Sequence, residues 1–243
     1  MERAKRFDSV IFDLDGTLWD ATEVTAAAWA EVLRRHPDVK PAVYPDLNAI
    51  RLYMGRTCEE MAQILFPDLP FSEAFALMEE SCAFENEWLP VHGGKLWPDV
   101  PETLAELKKA GYRLSVVSNC QEGYIEAFLD AHRFRDLFED FESSGRTGRG
   151  KADNIREVIR RGALASPVYV GDTCLDADGA HAAGIPFVYC RYGFGETFGR
   201  QKARRFEYAA DRFCDLPAVL ESDPCASFPS GSSGMNAAPD GDN

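Results

Sequence analysis

Two aspartates stand two positions apart in "DLDGT", Asp13 and Asp15, followed by Gly16, which permits a tight turn, and Thr17, which can hydrogen-bond locally. Carboxylates this close repel and call for a cation. A hard, oxygen-seeking ion such as Mg²⁺ would keep both ionised and leave open positions for phosphate oxygens. Asp172 and Asp176, in "GDTCLD", could complete the same cage. Lys151, in "GRTGRGKA", adds a compact positive charge suited to phosphate. Gly145, Gly150 and Lys151 have the spacing of a nucleotide-binding P-loop, but Ala152 stands where that loop needs a hydroxyl for magnesium, and such a loop leaves the DLDGT turn unexplained.

These residues need a scaffold that gathers them. "SVIFDL" (9–14) has the aliphatic and aromatic run of a strand buried on both faces, and "RLSVVSN", "PVYVGD" and "IPFVYCR" read the same way, with "LFEDFES" as a further strand. Between them lie helical patterns at 100–110, begun by Pro101 and stopped by Gly111, around Ile125 and Phe128, over Ile155 to Ile159, and at 174–183, ended by Gly184 and Pro186. Strands separated by helices imply parallel crossovers: an α/β, doubly wound, Rossmann-like sheet with its ligand site at the carboxyl ends of the strands. Asp13, Ser118 and Asp172 each follow an apolar run that such a sheet would bring to one edge.

Residues 20–92 interrupt the alternation with helical patterns alone. They predict a helical cap inserted after the first strand, leaving 1–19 and 93–220 as the core. The first cap helix carries Val24, Ala28 and Val32 on one face, with Asp20 and Glu23 read as its capping pair, and "TCEE" (57–60) is a capping box that places Gly55 and Arg56 on the turn before it. Residues 221–243, rich in Ser, Gly, Pro and Asp, lack the apolar material to offset ordering and predict a disordered tail.

A formal net charge of −14 argues against nucleic acid or an anionic membrane as a partner. The charged opening "MERAKRFDSV" and the lack of any long apolar run predict a cytoplasmic protein without a membrane span. Seven scattered cysteines without a CxxC pair argue against a disulfide framework or a zinc site, and the four histidines have no metal-binding spacing.

Taken together, "VIFDLDGTL", "LSVVSN", Lys151 and "VYVGDTCLD" resemble, in order and context from about residue 8 to 195, the four motif regions of the haloacid dehalogenase superfamily of aspartate-nucleophile phosphohydrolases. The resemblance implies that Asp13 is the nucleophile and forms an aspartyl phosphate, and that Asp15 is general acid and then general base. It implies Mg²⁺ held by Asp13, Asp172 and the backbone carbonyl of Asp15. Asp176 would be a ligand through water or would orient the others. Ser118 would donate to a phosphate oxygen, and Lys151 would offset charge on Asp13 and the transferring group.

Asn119 is a secondary candidate for substrate contact, although asparagine also suits a plain turn. The cap resembles in position that of phosphoglycolate phosphatases and beta-phosphoglucomutases, so Gly55 and Arg56 are placed to meet a substrate anion. The "RYGFGE" turn (191–196) is similar to one in the phosphoglycolate phosphatase relatives. The expected function is a Mg²⁺-dependent phosphatase of a small phosphorylated metabolite. A phosphomutase would use the same Asp13 and Asp15, and a P-loop nucleotide-binding protein is the alternative from another class. Spacing leaves the substrate and the oligomeric state open.

Overall fold

A computed structural model describes residues 5–198 and 201–225 of the chain. Strand β1 (Ser9–Phe12) leads through a turn to the short β2 (Trp19–Asp20), and helices α1 (Thr22–Arg35), α2 (Leu47–Tyr53), α3 (Cys58–Leu65) and α4 (Phe71–His92) follow. The chain continues through β3 (Lys95–Leu96), α5 (Val100–Lys109), β4 (Arg113–Ser118), α6 (Tyr124–His132), β5 (Asp140–Ser143), α7 (Ser144–Thr147) and α8 (Lys151–Gly162). It closes with β6 (Pro167–Gly171), α9 (Cys174–Ala183), β7 (Phe187–Cys190), α10 (Phe194–Phe198), β8 (Tyr208–Ala210) and α11 (Leu216–Glu221). The main sheet has the order β5-β4-β1-β6-β7-β8, and every neighbouring pair is parallel.

The sheet is buried on both faces, and the alternation of side chains along β1 shows how. Val10 and Phe12 point into one apolar cluster with Leu104, Phe128 and Leu216, while Ile11, between them, joins Ile155, Tyr169 and Ala177 on the other side. An apolar residue at every position therefore marks a central strand with helices above and below. Phe12 sits at the middle, fully buried, with its ring 6.3 Å from Phe138 and 5.9 Å from Phe213.

The four helices α1–α4 form a third apolar cluster of their own around Trp29, Ile50, Met61, Leu65 and Met78. The capping box at Thr57 and Glu60 starts α3, as the sequence implies. Asp20 differs from expectation: α1 begins with Ala21 at its N-cap and no side-chain cap. Asp20 instead accepts from the Thr22 backbone N–H at 3.0 Å and pairs with Arg51 of α2, also at 3.0 Å, while Glu23 pairs with Lys95 at 3.1 Å.

Sequence patterning misses two features. β2 and β3 form an antiparallel ribbon that sets the entrance and exit of the helical segment side by side, but two residues are too few to show a period. β8, with three residues beside β7, is too short for the same reason. Of the stretch expected to be disordered, residues 221–225 are held, Arg6 pairing with Asp223 at 2.8 Å and the Cys225 N–H donating to Glu207 O at 2.8 Å. The remainder, 226–243, lies outside the described residues. Among those described, no helix is long and apolar enough to cross a membrane, and all seven cysteines are free thiols.

Truncating Phe12 to Ala removes the ring that joins the sheet to two neighbouring aromatics, and a loss of about 3–5 kcal/mol is expected from urea denaturation with an unchanged m-value.

Candidate active site

Register places three chemical side chains at one sheet edge. Phe12 pairs with Val116 of β4 and Val170 of β6, so Asp13 leaves the sheet between the ends of these two strands, where Ser118 closes β4 and Asp172 follows β6. The Asp13 N–H still donates to Val170 O at 2.8 Å, which holds the aspartate in line with its strand. The turn after it requires Gly16: its φ is +83°, and a Cβ there would lie 2.3 Å from Asp172 Oδ2.

Lys151, the first residue of α8, turns inward between the acids and is 6% exposed. Its Nζ donates to Asp13 Oδ1 at 2.8 Å and also pairs with Asp176 Oδ1. Gly179 of α9 makes room for its stem, since a Cβ there would stand 3.0 Å from Lys151 Cγ. This explains a glycine within a helix, where it otherwise costs about 1 kcal/mol. The P-loop reading is overturned by the same geometry. The strand before Gly145 is the edge strand β5, a Cβ on Gly145 would meet the backbone N of Glu122 at 2.4 Å, and the ammonium is engaged by two carboxylates.

Asp13, Asp172 and Asp176 are all buried, and one oxygen from each lies within 4.8 Å of the other two. With all three carboxylates ionised, one ammonium against them would leave two negative charges in a water-poor space, a fit for a divalent cation with hard oxygen ligands. Burial first, and Asp176 second, push the Asp13 carboxyl up to about 7, with Lys151 opposing them. Burial likewise drives Asp172 well above the usual carboxylate range, reinforced by Asp176 and Asp13. Burial would lower the lysine, but Asp13 and Asp176 prevail and raise it.

The three acids have unequal freedom to bind an ion. Asp176 is engaged at both oxygens: Oδ1 faces Lys151, and Oδ2 accepts from the Thr173 N–H at 2.9 Å and the Thr173 hydroxyl at 2.7 Å. That arrangement suits an orienting residue better than a ligand. Asp172 Oδ2 accepts the Phe194 N–H at 2.6 Å and the Gly195 N–H at 3.3 Å. The "RYGFGE" turn thus grips Asp172 through backbone groups, a role that side-chain identity does not reveal.

Asp15 lies on the other side of the turn, facing the helical segment. Its Oδ1 accepts the Tyr124 hydroxyl at 2.8 Å, and burial raises its carboxyl well above the usual range while this bond works against the rise. Asp13, Asp15, Ser118 and Tyr124 line a pocket whose far wall is Trp29, Ile50, Tyr53, Met54 and Met78. Gly55 and Arg56 border it as well; Arg56 pairs with Glu60 at 2.9 Å, and its buried Nε has no hydrogen-bond partner among the described residues.

The amide of Asn119 joins the two parts of the molecule: Nδ2 donates to Gly55 O at 2.9 Å and Oδ1 accepts from Ser144 Oγ at 3.0 Å. Sequence reasoning does not find Glu85, a buried acid of α4 at this pocket that accepts from Trp29 Nε1 at 3.0 Å and Gln121 Nε2 at 3.1 Å. Its place amid an apolar helix face, in "SCAFENEW", is the one available signal.

Three comparisons bear on this geometry. The family described as haloacid dehalogenase-like hydrolase matches residues 10–190. The phosphoglycolate phosphatase of Caulobacter vibrioides is 28% identical over 200 residues, covering 77% of this chain and 81% of the relative. The plasmid phosphoglycolate phosphatase of Cupriavidus necator is 26% identical over 223 residues, covering 87% and 92%. Among solved structures, CbbY from Rhodobacter sphaeroides in complex with phosphate superposes with a TM-score of 0.71 at 21% identity, covering 89% of this chain and 100% of that one, which shows a shared fold.

Replacing Lys151 by Met leaves Asp13 and Asp176 without their buried cation. A loss of about 3–5 kcal/mol is expected at pH 8 in metal-free buffer. Because Asp13 already titrates near 7, protonation relieves the repulsion at pH 5 and the loss shrinks there. Urea midpoints at the two pH values check this, and an equal loss at both would contradict it.

Proposed function

Given that the chain belongs to the haloacid dehalogenase-like hydrolase family and is a phosphatase, we propose that it hydrolyses a small phosphomonoester in a Mg²⁺-dependent reaction through an aspartyl phosphate on Asp13. The observation that carries this reading is the buried contact of 2.8 Å between Lys151 Nζ and Asp13 Oδ1, inside one cluster with Asp172 and Asp176. A lone ion pair has no need of two further buried acids. A site that must hold a dianionic phosphoryl group beside an ionised nucleophile has that need, because the added cation balances both.

In the first step a carboxylate oxygen of Asp13 forms a bond to phosphorus while the bond to the leaving oxygen breaks, and Asp15 gives its proton to the departing alkoxide. In the second, water attacks the phosphorus of the acyl phosphate, Asp15 takes the water's proton, and Asp13 is released with inorganic phosphate. Ser118 donates to a non-bridging oxygen, and Lys151 offsets the charge that builds on it. Asp13, Asp172 and the Asp15 carbonyl would hold the ion, which supplies charge neutralisation, while Asp176 orients Lys151 and the strand end.

The helical segment then acts as the cap. Its apolar wall encloses the leaving group and excludes water, so a macromolecular phosphate does not fit and a small metabolite does. Arg56, which pairs with Glu60 and whose Nε has no partner among the described residues, borders the pocket where it would meet a substrate anion. Relatives named phosphoglycolate phosphatase make phosphoglycolate the first compound to assay.

Replacing Asp13 by Asn is expected to lower Mg²⁺-dependent phosphate release from an aryl phosphate by at least about 10³-fold, since the covalent route is lost. Retained turnover in that variant would refute the nucleophile assignment. A second measurement concerns the ion. Its ligands must be ionised to bind it, and the folded pKa values of Asp13 and Asp172 are raised, so the metal-free protein loses stability as pH rises through about 7. Mg²⁺ should therefore raise the melting temperature more at pH 8 than at pH 5, as read by thermal unfolding with and without chelator; the reverse order would count against the site.

A further inference from the structure

The residue after the glycine turn at 123 contributes something that none of the motif residues supplies. Tyr124 opens α6, is 3% exposed, and aims its hydroxyl at Asp15 Oδ1 from 2.8 Å. Its ring is held on the core side by an edge-to-face contact with Trp19, the centroids 5.6 Å apart at 72°. Gly123, with φ of +88°, starts the helix, and a Cβ there would stand 2.9 Å from Asn86 Nδ2 of α4. The phenol is thus fixed by packing, and with Asp15 only 7% exposed the bond lies largely out of solvent.

We infer that Tyr124 is the positioning residue for the acid–base chemistry of Asp15, its hydroxyl holding Oδ1 so that Oδ2 faces the pocket as the oxygen that delivers and recovers the proton. This rests on the reading of Asp15 given under the proposed function. A carboxyl group can place its proton on either oxygen and rotate about its terminal torsion, which is broad and nearly two-fold. A donor bound to Oδ1 occupies that oxygen as an acceptor, so the acid's own proton resides on the other. The phenol fits this task because it orients the carboxyl without adding a counter-charge. An ammonium or guanidinium in its place would hold Asp15 in the ionised form and unable to act as an acid.

Leaving-group dependence tests the inference. The full-length protein with Mg²⁺ is assayed on substituted phenyl phosphates, from 4-nitrophenyl phosphate, whose phenolate departs without help, to 4-methoxyphenyl phosphate, whose phenolate needs a proton. Loss of an aligned general acid removes part of a contribution of about 10²–10⁴-fold. In Tyr124→Phe, kcat/KM is expected to fall about 10–100-fold for the poorest leaving group and less than about threefold for 4-nitrophenyl phosphate, a steeper dependence than in the wild type.

A merely structural role would lower every substrate by one factor, since a smaller folded fraction scales all rates alike. Equal losses across the series, or none, overturn the inference. Trp19→Phe, which loosens the packing around the ring and keeps the hydroxyl, is expected to steepen the slope less than Tyr124→Phe does, and a slope as steep or steeper there would also overturn it. Asp15→Asn separates the two levels of the argument. It should give the steepest dependence of all; if it matches the wild type, Asp15 is not the acid and the underlying reading falls, whereas a steep Asp15→Asn beside a normal Tyr124→Phe removes only the role of Tyr124.

Discussion

Three carboxylates and one ammonium packed together out of water are the constraint around which this molecule is built. Asp13, Asp172 and Asp176 with Lys151 form a set that no small peptide would keep together, because desolvation of each charge costs several kcal/mol. The fold meets that cost by distributing donors. Thr173 engages Asp176, the Phe194 and Gly195 amides engage Asp172, and Lys151 is shared between Asp13 and Asp176. What remains, when the acids are ionised, is an excess of negative charge that the proposed cation would balance.

The two sides of the DLDGT turn have different environments, and the difference separates two aspartates of identical chemistry. Asp13 faces the lysine and the other acids. Asp15 faces a neutral phenol and the helical wall, and among the described residues it forms no ion pair. Lys151 favours the ionised form of Asp13 against its burial, whereas burial favours the neutral form of Asp15 and the Tyr124 hydrogen bond only partly opposes it. Distinct surroundings for the two acids accompany the tight turn that Gly16 makes possible.

The helical segment is tied to the core at several points that patterning does not disclose. The β2–β3 ribbon joins its two ends, Asn119 reaches Gly55, and Gln121 reaches Glu85 and Asn86. Apolar packing joins segment and core as well, since Leu89 of α4 belongs to the cluster on one face of the sheet and Val24 of α1 packs against it, while most apolar residues of the helices form a cluster of their own.

Much of this architecture was legible from residue order alone. Apolar runs alternating with helical periods identify the parallel sheet, since each feature is local and repeats within a few residues. The acids at strand exits could be listed because a strand ending in Asp, followed by Gly or Thr, is likewise a local pattern. Meetings between distant segments lie beyond such reading. Lys151 reaches Asp13 across 138 positions and Tyr124 reaches Asp15 across 109, and these contacts depend on which strands are neighbours and how deep each helix start lies. The sequence by itself determined the fold class and the candidate acids; only the tertiary structure decided which charges pair, that Asn119 joins the helical segment to the core, and that backbone amides hold Asp172. The physical reason is that local pattern reports periodicity and backbone preference, whereas the energy of a buried charge is set by partners the chain brings in from far away.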